Sequence, residues 1–214
     1  MNESALRASL VAYGRALFER GYGCGTSGNL SARMDDGYLM TPTNIALGHL
    51  ASDGLCKLDA SGRHVAGPQP TKEAWLHLAM YKARPSNRAI VHLHSTHAVA
   101  LSCRTDLPED DMLPALTPYV VMRVGQVAKV PYGRPGNAAL AAPIEALAAR
   151  HRALLLANHG PIVSAPDLET AWAAAEELEE SARLFFLLEN KPHWRLGRAE
   201  IDELHQAFGK PEQV

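Results

Sequence analysis

Ile90-Val91-His92-Leu93-His94-Ser95-Thr96-His97 is the stretch around which the rest of the chain is best read. Its lead-in, Ala89-Ile90-Val91, is a short apolar run of the kind that forms a buried strand. Residues two apart in a strand share a face, so His92 and His94 are expected to project together into one cavity. Two imidazoles on one face suit a borderline-soft divalent ion such as zinc. Two strand histidines satisfied by ordinary hydrogen bonds fit the same pattern. A pair of ligands does not complete a metal site, so the remaining ligands must be sought elsewhere in the sequence.

The second informative stretch is Ala153-Leu154-Leu155-Leu156-Ala157-Asn158-His159-Gly160-Pro161-Ile162-Val163. Leu154 to Ala157 reads as a core strand, Asn158-His159-Gly160 as the bend at its end, and Pro161 to Val163 as the start of another strand. An imidazole at such a bend is well placed for ligation and equally well placed for a structural role. Between these stretches, Thr96 to Ser102 reads as a helix, and Pro108 to Pro118 as an excursion carrying Glu109, Asp110 and Asp111. Tyr119 to Met122 and Gln126 to Val130 read as strands. Pro131-Tyr132-Gly133-Arg134-Pro135-Gly136 reads as a rigid turn, and 137–150 as an alanine-rich helix that accommodates Pro143 only near its start.

Towards the N-terminus, Leu6, Leu10, Tyr13, Leu17 and Phe18 recur at helical spacing, and Gly21 suits a left-handed helix stop. The loop 21–31 holds four glycines with Thr26, Ser27 and Asn29. Glycines let the backbone turn its N–H groups inward, which makes a nest for a phosphate or carboxylate. The loop carries neither a Walker sequence nor a dinucleotide fingerprint, and an ordinary glycine-rich connection has the same composition. Short strands follow at 30–33, 38–41 and 55–58. Thr41-Pro42-Thr43-Asn44 is a polar loop able to join the same anion pocket. Thr71 reads as the N-cap of a helix reaching to about 81–83, with Glu73 in its first turn, where an acid commonly complements the helix dipole. Near the C-terminus, 167–189 reads as a long helix and 201–208 as a short one.

Composition bounds the function. The chain of 214 residues fits one domain, or one domain with a tail, and its 47% hydrophobic and 21% charged residues are those of a soluble globular protein. A net charge of −2 gives no basic patch for nucleic acid, and no apolar run reaches transmembrane length. Cys24, Cys56 and Cys103 are too few and too scattered for a zinc knuckle, which points to a reducing, cytoplasmic setting. The first twenty residues read as an amphipathic helix rather than a signal peptide.

Taken in order, Gly25-Thr26-Ser27-Gly28-Asn29-Leu30-Ser31, Thr71-Lys72-Glu73, His92-Leu93-His94-Ser95-Thr96-His97 and Asn158-His159-Gly160 resemble the motifs of class II sugar-phosphate aldolases of the aldolase/adducin type. The resemblance covers nearly the whole chain. It implies a single α/β domain, with a mostly antiparallel central sheet flanked by helices on both sides, spanning 1–191 and followed by a tail with a short helix at 192–214. It implies one zinc ion per subunit on His92, His94, His159 and Glu73, with Glu73 also moving a proton at carbon. Ser27, Gly28, Asn29, Thr43 and Asn44 match the phosphate pocket, with Thr71 and Lys72 flanking it. His97 matches a position outside the ligand set, where packing and support of the ligands are expected. The family forms four-fold homotetramers with active sites between neighbouring subunits.

Length and motif details look closest to the branch that decarboxylates a 3-oxo-tetronate 4-phosphate to dihydroxyacetone phosphate through an enediolate, in acid-sugar catabolism. Lys72 departs from the small hydroxyl residue typical of aldolase and epimerase relatives. A cation there can pair with a phosphate or a carboxylate, or simply be solvated at a helix start. Tyr119 is the candidate proton donor by position in that branch. The same resemblance keeps a fuculose-phosphate type aldolase and a 4-epimerase in play. An adducin-like binding module would be expected to lose ligands that are all present here.

Overall fold

The computed structural model describes residues 2–134 and 136–211. Eight strands form one sheet: β1 (Asn29–Arg33), β2 (Gly37–Met40), β3 (Cys56–Asp59), β4 (His64–Ala66), β5 (Ala89–His92), β6 (Val127–Val130), β7 (Ala153–Leu156) and β8 (Gly160–Ala165). Their spatial order is β4-β3-β2-β1-β5-β8-β7-β6. All neighbours are antiparallel except β6 and β7. Seven α-helices cover it among the described residues: α1 (Glu3–Glu19), α2 (Ala74–Ala83), α3 (Thr96–Ser102), α4 (Pro118–Arg123), α5 (Ala141–Ala148), α6 (Leu168–Leu188) and α7 (Arg198–Phe208). The expected α/β class, with a mostly antiparallel sheet between two helical layers, is what the chain adopts.

The two layers follow from alternation along the central strands. Ala89 and Val91 of β5, Ala153 and Leu155 of β7, and Val163 of β8 join the core beneath α1, α3, α4 and α6. Their neighbours Ile90, Leu154, Leu156 and Ile162 join a second core beneath α2 and α5. Strands buried on both faces read as unbroken apolar runs, which is why these were visible in the sequence. Leu10, Leu17, Ile90 and Leu155 are fully buried. Each such side chain contributes about 1.5–3 kcal/mol relative to exposure. In the tail, Leu196, Ile201 and Leu204 pack against the first core, so α7 is seated on the domain.

Three expectations are corrected. Residues 119–122 form a helix, not a strand: Thr117 accepts a hydrogen bond from the Val120 amide at 3.2 Å, and Pro118 occupies the first turn. That start signal outweighs the strand preference of Val120 and Val121. The helix expected from Thr71 begins at Ala74 instead, because the Thr71 amide bonds to the Thr41 carbonyl at 3.2 Å and ties that residue to the end of β2. β5 ends at His92, so His94 lies just beyond the strand. Besides these, the short edge strand β4 went unrecognised because three exposed residues are too few to show an alternation. Pro135, within the turn expected at 131–136, lies outside the described residues.

Candidate metal centre

One end of the central strands gathers the candidate ligands. His92 ends β5. Two residues later the extended chain brings His94 to the same place, and the rings of the two lie 5.0 Å apart. His159 arrives from the bend between β7 and β8, its ring 4.6 Å from that of His94. Two backbone features make that bend fit. Asn158 holds a positive φ of 56°. Gly160 holds φ +150°, and a Cβ there would lie only 2.3 Å from the Leu93 carbonyl oxygen. Only glycine lets β8 pass this close to the segment between His92 and His94.

Glu73 completes the group from the turn before α2. Its side chain makes no cap bond to its own helix. Instead Oε1 lies 3.0 Å from His159 Nε2 and Oε2 lies 3.3 Å from His92 Nε2. His94 Nε2 is 3.2 Å from His92 Nε2 and 3.1 Å from His159 Nε2. Three ring nitrogens and a carboxylate thus face a common centre. A tetrahedral ion with bonds of about 2.0–2.1 Å spaces its ligand atoms roughly 3.4 Å apart, close to what is seen.

The chemistry of the donors agrees. His92 is fully buried, and its Nδ1 donates to the Pro161 carbonyl at 2.8 Å, which leaves the Nε2 lone pair pointing into the group. Burial first, then the neighbouring His92 and His159, push the His94 imidazole down to about 4, so it is neutral at working pH. Burial acts to raise the Glu73 carboxyl, but the neighbouring His159, His92 and Asn29 side chains prevail and hold it well below the usual carboxylate range. A divalent metal fits this set.

The other expected residues divide. Three loops lie together beside the cluster. Thr43 N donates to Gln69 O at 3.0 Å, Thr71 N to Thr41 O at 3.2 Å, and Leu30 N to Thr41 Oγ1 at 3.1 Å. These bonds join the approach to β1, the end of β2 and the approach to α2. Gly28 holds φ +82°, and a Cβ there would lie 3.2 Å from the His92 carbonyl oxygen, so the glycine loop presses on the ligand strand. Ser27 closes its own loop by donating to the Cys24 carbonyl at 2.7 Å. Asn44 is exposed with φ 60°, and Lys72 is exposed and paired with no acid among the described residues. Asn29 turns its amide away from the loop, towards Glu73 at 2.8 Å.

His97 stays outside the ligand group. Its ring donates to Glu179 on α6 at 2.8 Å, while the amides of His97 and Ala98 donate to the two oxygens of the same carboxylate. Glu179 therefore caps α3, whose own Ser95 makes no side-chain cap bond. Tyr119 is 54% exposed on α4, its ring beneath the Arg123 guanidinium at 4.9 Å. It lines neither cleft bordering the cluster. The sequence reading missed Glu179 and the buried His77. Their positions fit ordinary amphipathic helices, and only packing across the fold shows what they touch.

Four similarities bear on this geometry. The profile of the Class II Aldolase and Adducin N-terminal domain matches residues 8–186. The 3-oxo-tetronate 4-phosphate decarboxylase of Pectobacterium atrosepticum is 47% identical over 204 residues, covering 95% of this chain and 94% of the relative. The L-fuculose phosphate aldolase of Methanococcus maripaludis strain S2 is 33% identical over 82% of this chain and 93% of the relative. Among solved structures, the Klebsiella pneumoniae protein YgbL superposes with a TM-score of 0.92 at 45% identity, over 95% of this chain and 99% of that one.

Proposed function

The chain belongs to the class II aldolase and adducin family, and we propose that within it this lyase removes CO2 from a 3-oxo-tetronate 4-phosphate, leaving dihydroxyacetone phosphate. The observation that carries this reading is the gap in identity: 47% to a decarboxylase named for that substrate, against 33% to a fuculose phosphate aldolase. The same four side chains serve either reaction, because both pass through an enediolate. Only the leaving fragment differs.

His92, His94, His159 and Glu73 would hold a divalent ion, proposed to be zinc, which when bound would supply Lewis-acid stabilisation to the oxygen that gathers charge. The loops carrying Ser27, Gly28, Asn29, Thr43, Asn44, Thr71 and Lys72 bind the phosphate and fix the substrate's far end. The bond between C1 and C2 breaks. Its electron pair passes into the enediolate across C2 and C3, and the carboxylate carbon leaves as CO2. Glu73 holds the proton of the C2 hydroxyl, and the Tyr119 hydroxyl protonates C2. Because Tyr119 is exposed and remote from the clefts of its own cluster, it acts from a neighbouring subunit, in the homotetramer proposed for this chain. Lys72, exposed beside Glu73, pairs with the phosphate or the carboxylate.

Metal-loaded protein offered a 3-oxo-tetronate 4-phosphate is expected to release CO2 and dihydroxyacetone phosphate in equal amounts, and chelator is expected to abolish both. Release of neither, with cleavage of a sugar phosphate to dihydroxyacetone phosphate and an aldehyde, would replace this reading with the aldolase one.

A further inference from the structure

Behind Glu73 a file of polar side chains runs inward between α2 and β1. Asn29 Nδ2 lies 2.8 Å from Glu73 Oε2. Asn29 Oδ1 is 2.5 Å from His77 Nε2, and His77 Nδ1 is 2.7 Å from Ser31 Oγ. Ser31 Oγ is 2.9 Å from the Tyr81 hydroxyl. The spacing explains the file. Glu73, His77 and Tyr81 recur every fourth residue along one side of α2 and its entry turn. Asn29 and Ser31 are alternate residues on one face of β1. His77 and Ser31 are fully buried, and Tyr81 is 1% exposed.

The direction of every bond in the file follows from its outer end. A carboxylate only accepts, so Asn29 must turn its NH2 group towards Glu73 and its oxygen towards His77. That oxygen also only accepts, so His77 carries its proton on Nε2. Burial, and secondarily His92, push the His77 imidazole down to about 3, so the ring is neutral. Its Nδ1 is then an acceptor and takes the Ser31 hydroxyl proton. Ser31 in turn accepts from Tyr81. All four donors point the same way, towards the Glu73 carboxylate, and each bond polarises the next.

We propose that His77 is a positioning residue for Glu73: by fixing which way the Asn29 amide faces, it keeps the Glu73 carboxylate at the edge of the histidine cluster whether or not an ion is held there. An asparagine amide is nearly symmetric in shape and can rotate by half a turn. If it did so here, its oxygen would meet the carboxylate and drive it out of place. The carboxylate opposes the rotated state from one side and His77 from the other, because its Nε2–H would then face an NH2 group. The link to turnover rests on the reading that Glu73 holds the proton of the C2 hydroxyl. The effect on the carboxylate itself does not.

His77→Phe fills the site without a donor, whereas His77→Gln can offer an N–H to Asn29 and an oxygen to Ser31. With folding matched by circular dichroism, His77→Phe is expected to lower kcat about 10- to 100-fold with KM little changed. Zinc affinity, measured by chelator competition, should weaken about tenfold. His77→Gln should recover most of both. Nitrogen-15 spectra of histidine-labelled, metal-free protein should show His77 protonated on Nε2. If His77→Phe does not fold, Ser31→Ala serves instead and should weaken zinc affinity a few-fold by freeing the ring. A ring protonated on Nδ1 would overturn the proposal, as would equal kcat and zinc affinity in the Phe and Gln variants. If the wild type turns over no decarboxylase substrate, the function above fails, but zinc competition and the nitrogen spectra still decide the role of His77.

Discussion

Glu73 and Glu179 are both carboxylates tucked against histidine-bearing turns, and they are held in opposite ways. Glu179 is 4% exposed and binds the first-turn amides of α3 through both oxygens. Those donors belong to a helix and cannot follow the carboxylate if it moves. Glu73 meets side chains alone: it accepts from Asn29 and lies beside the ring nitrogens of His159 and His92. Side chains can rearrange, so Glu73 can exchange partners while the backbone stays still. A buried acid fastened to backbone amides acts as a fixture. One fastened to side chains at the rim of a cleft is available to chemistry.

Substituting the two acids is the strongest way to break this contrast. Glu73→Gln is expected to cut turnover about 1,000-fold while leaving the melting midpoint close to wild type. A protein that melts early and still turns over would reverse the assignment. Tyr119→Phe touches neither carboxylate and should slow turnover about 100-fold with unchanged melting. Rates equal to wild type would remove that hydroxyl from the reaction. Glu179→Ala should show the opposite pattern. Buried amides left unpaired cost about 1–3 kcal/mol each, so the midpoint should fall by roughly 5–10 °C in calorimetry, with a smaller loss of activity.

Two smaller effects sharpen the comparison. Asp167 caps α6, the helix that carries Glu179, by accepting from the Thr170 amide at 2.8 Å. Asp167→Ala should cost about 1 kcal/mol in chemical denaturation and leave kcat untouched. The second effect is on pH. His77 and His94 have folded-state values depressed to about 3 and about 4, chiefly by burial. The unfolded chain takes up protons near 6.5, where the folded one does not. Stability of metal-free protein should therefore fall as pH drops below about 6.5, and keep falling towards 3–4. His77→Gln should show a shallower acid limb in thermal melts than wild type.

The candidate ligands were legible because their chemistry is carried by residue type and short spacing: His92 and His94 two apart, His159 against a glycine, Glu73 before a helix. The central strands were legible because β5 and β7 are apolar on both faces. What packing alone creates was not legible. His77 meets Asn29 across 48 positions of sequence, and Glu179 meets His97 across 82. Neither partner announces the other, since a histidine or a glutamate on an amphipathic helix looks like many that do nothing. Tyr119 was misplaced on a strand because Val120 and Val121 carry a strand preference that Thr117 and Pro118 override. Asn29 was read with the phosphate loop, and its side-chain bonds to Glu73 and His77 were not foreseen.

The position of β8 sets a clock. It is the last strand in sequence, yet it lies in the middle of the sheet, between β5 and β7. A growing chain makes His92 and His94 well before His159, and they must wait for a strand that inserts where two others already stand. Pairings so distant in sequence form late in folding. Capture of an ion by all three imidazoles would thus have to wait until the middle of the sheet is closed. A chain able to hold an ion there would be one whose sheet has formed.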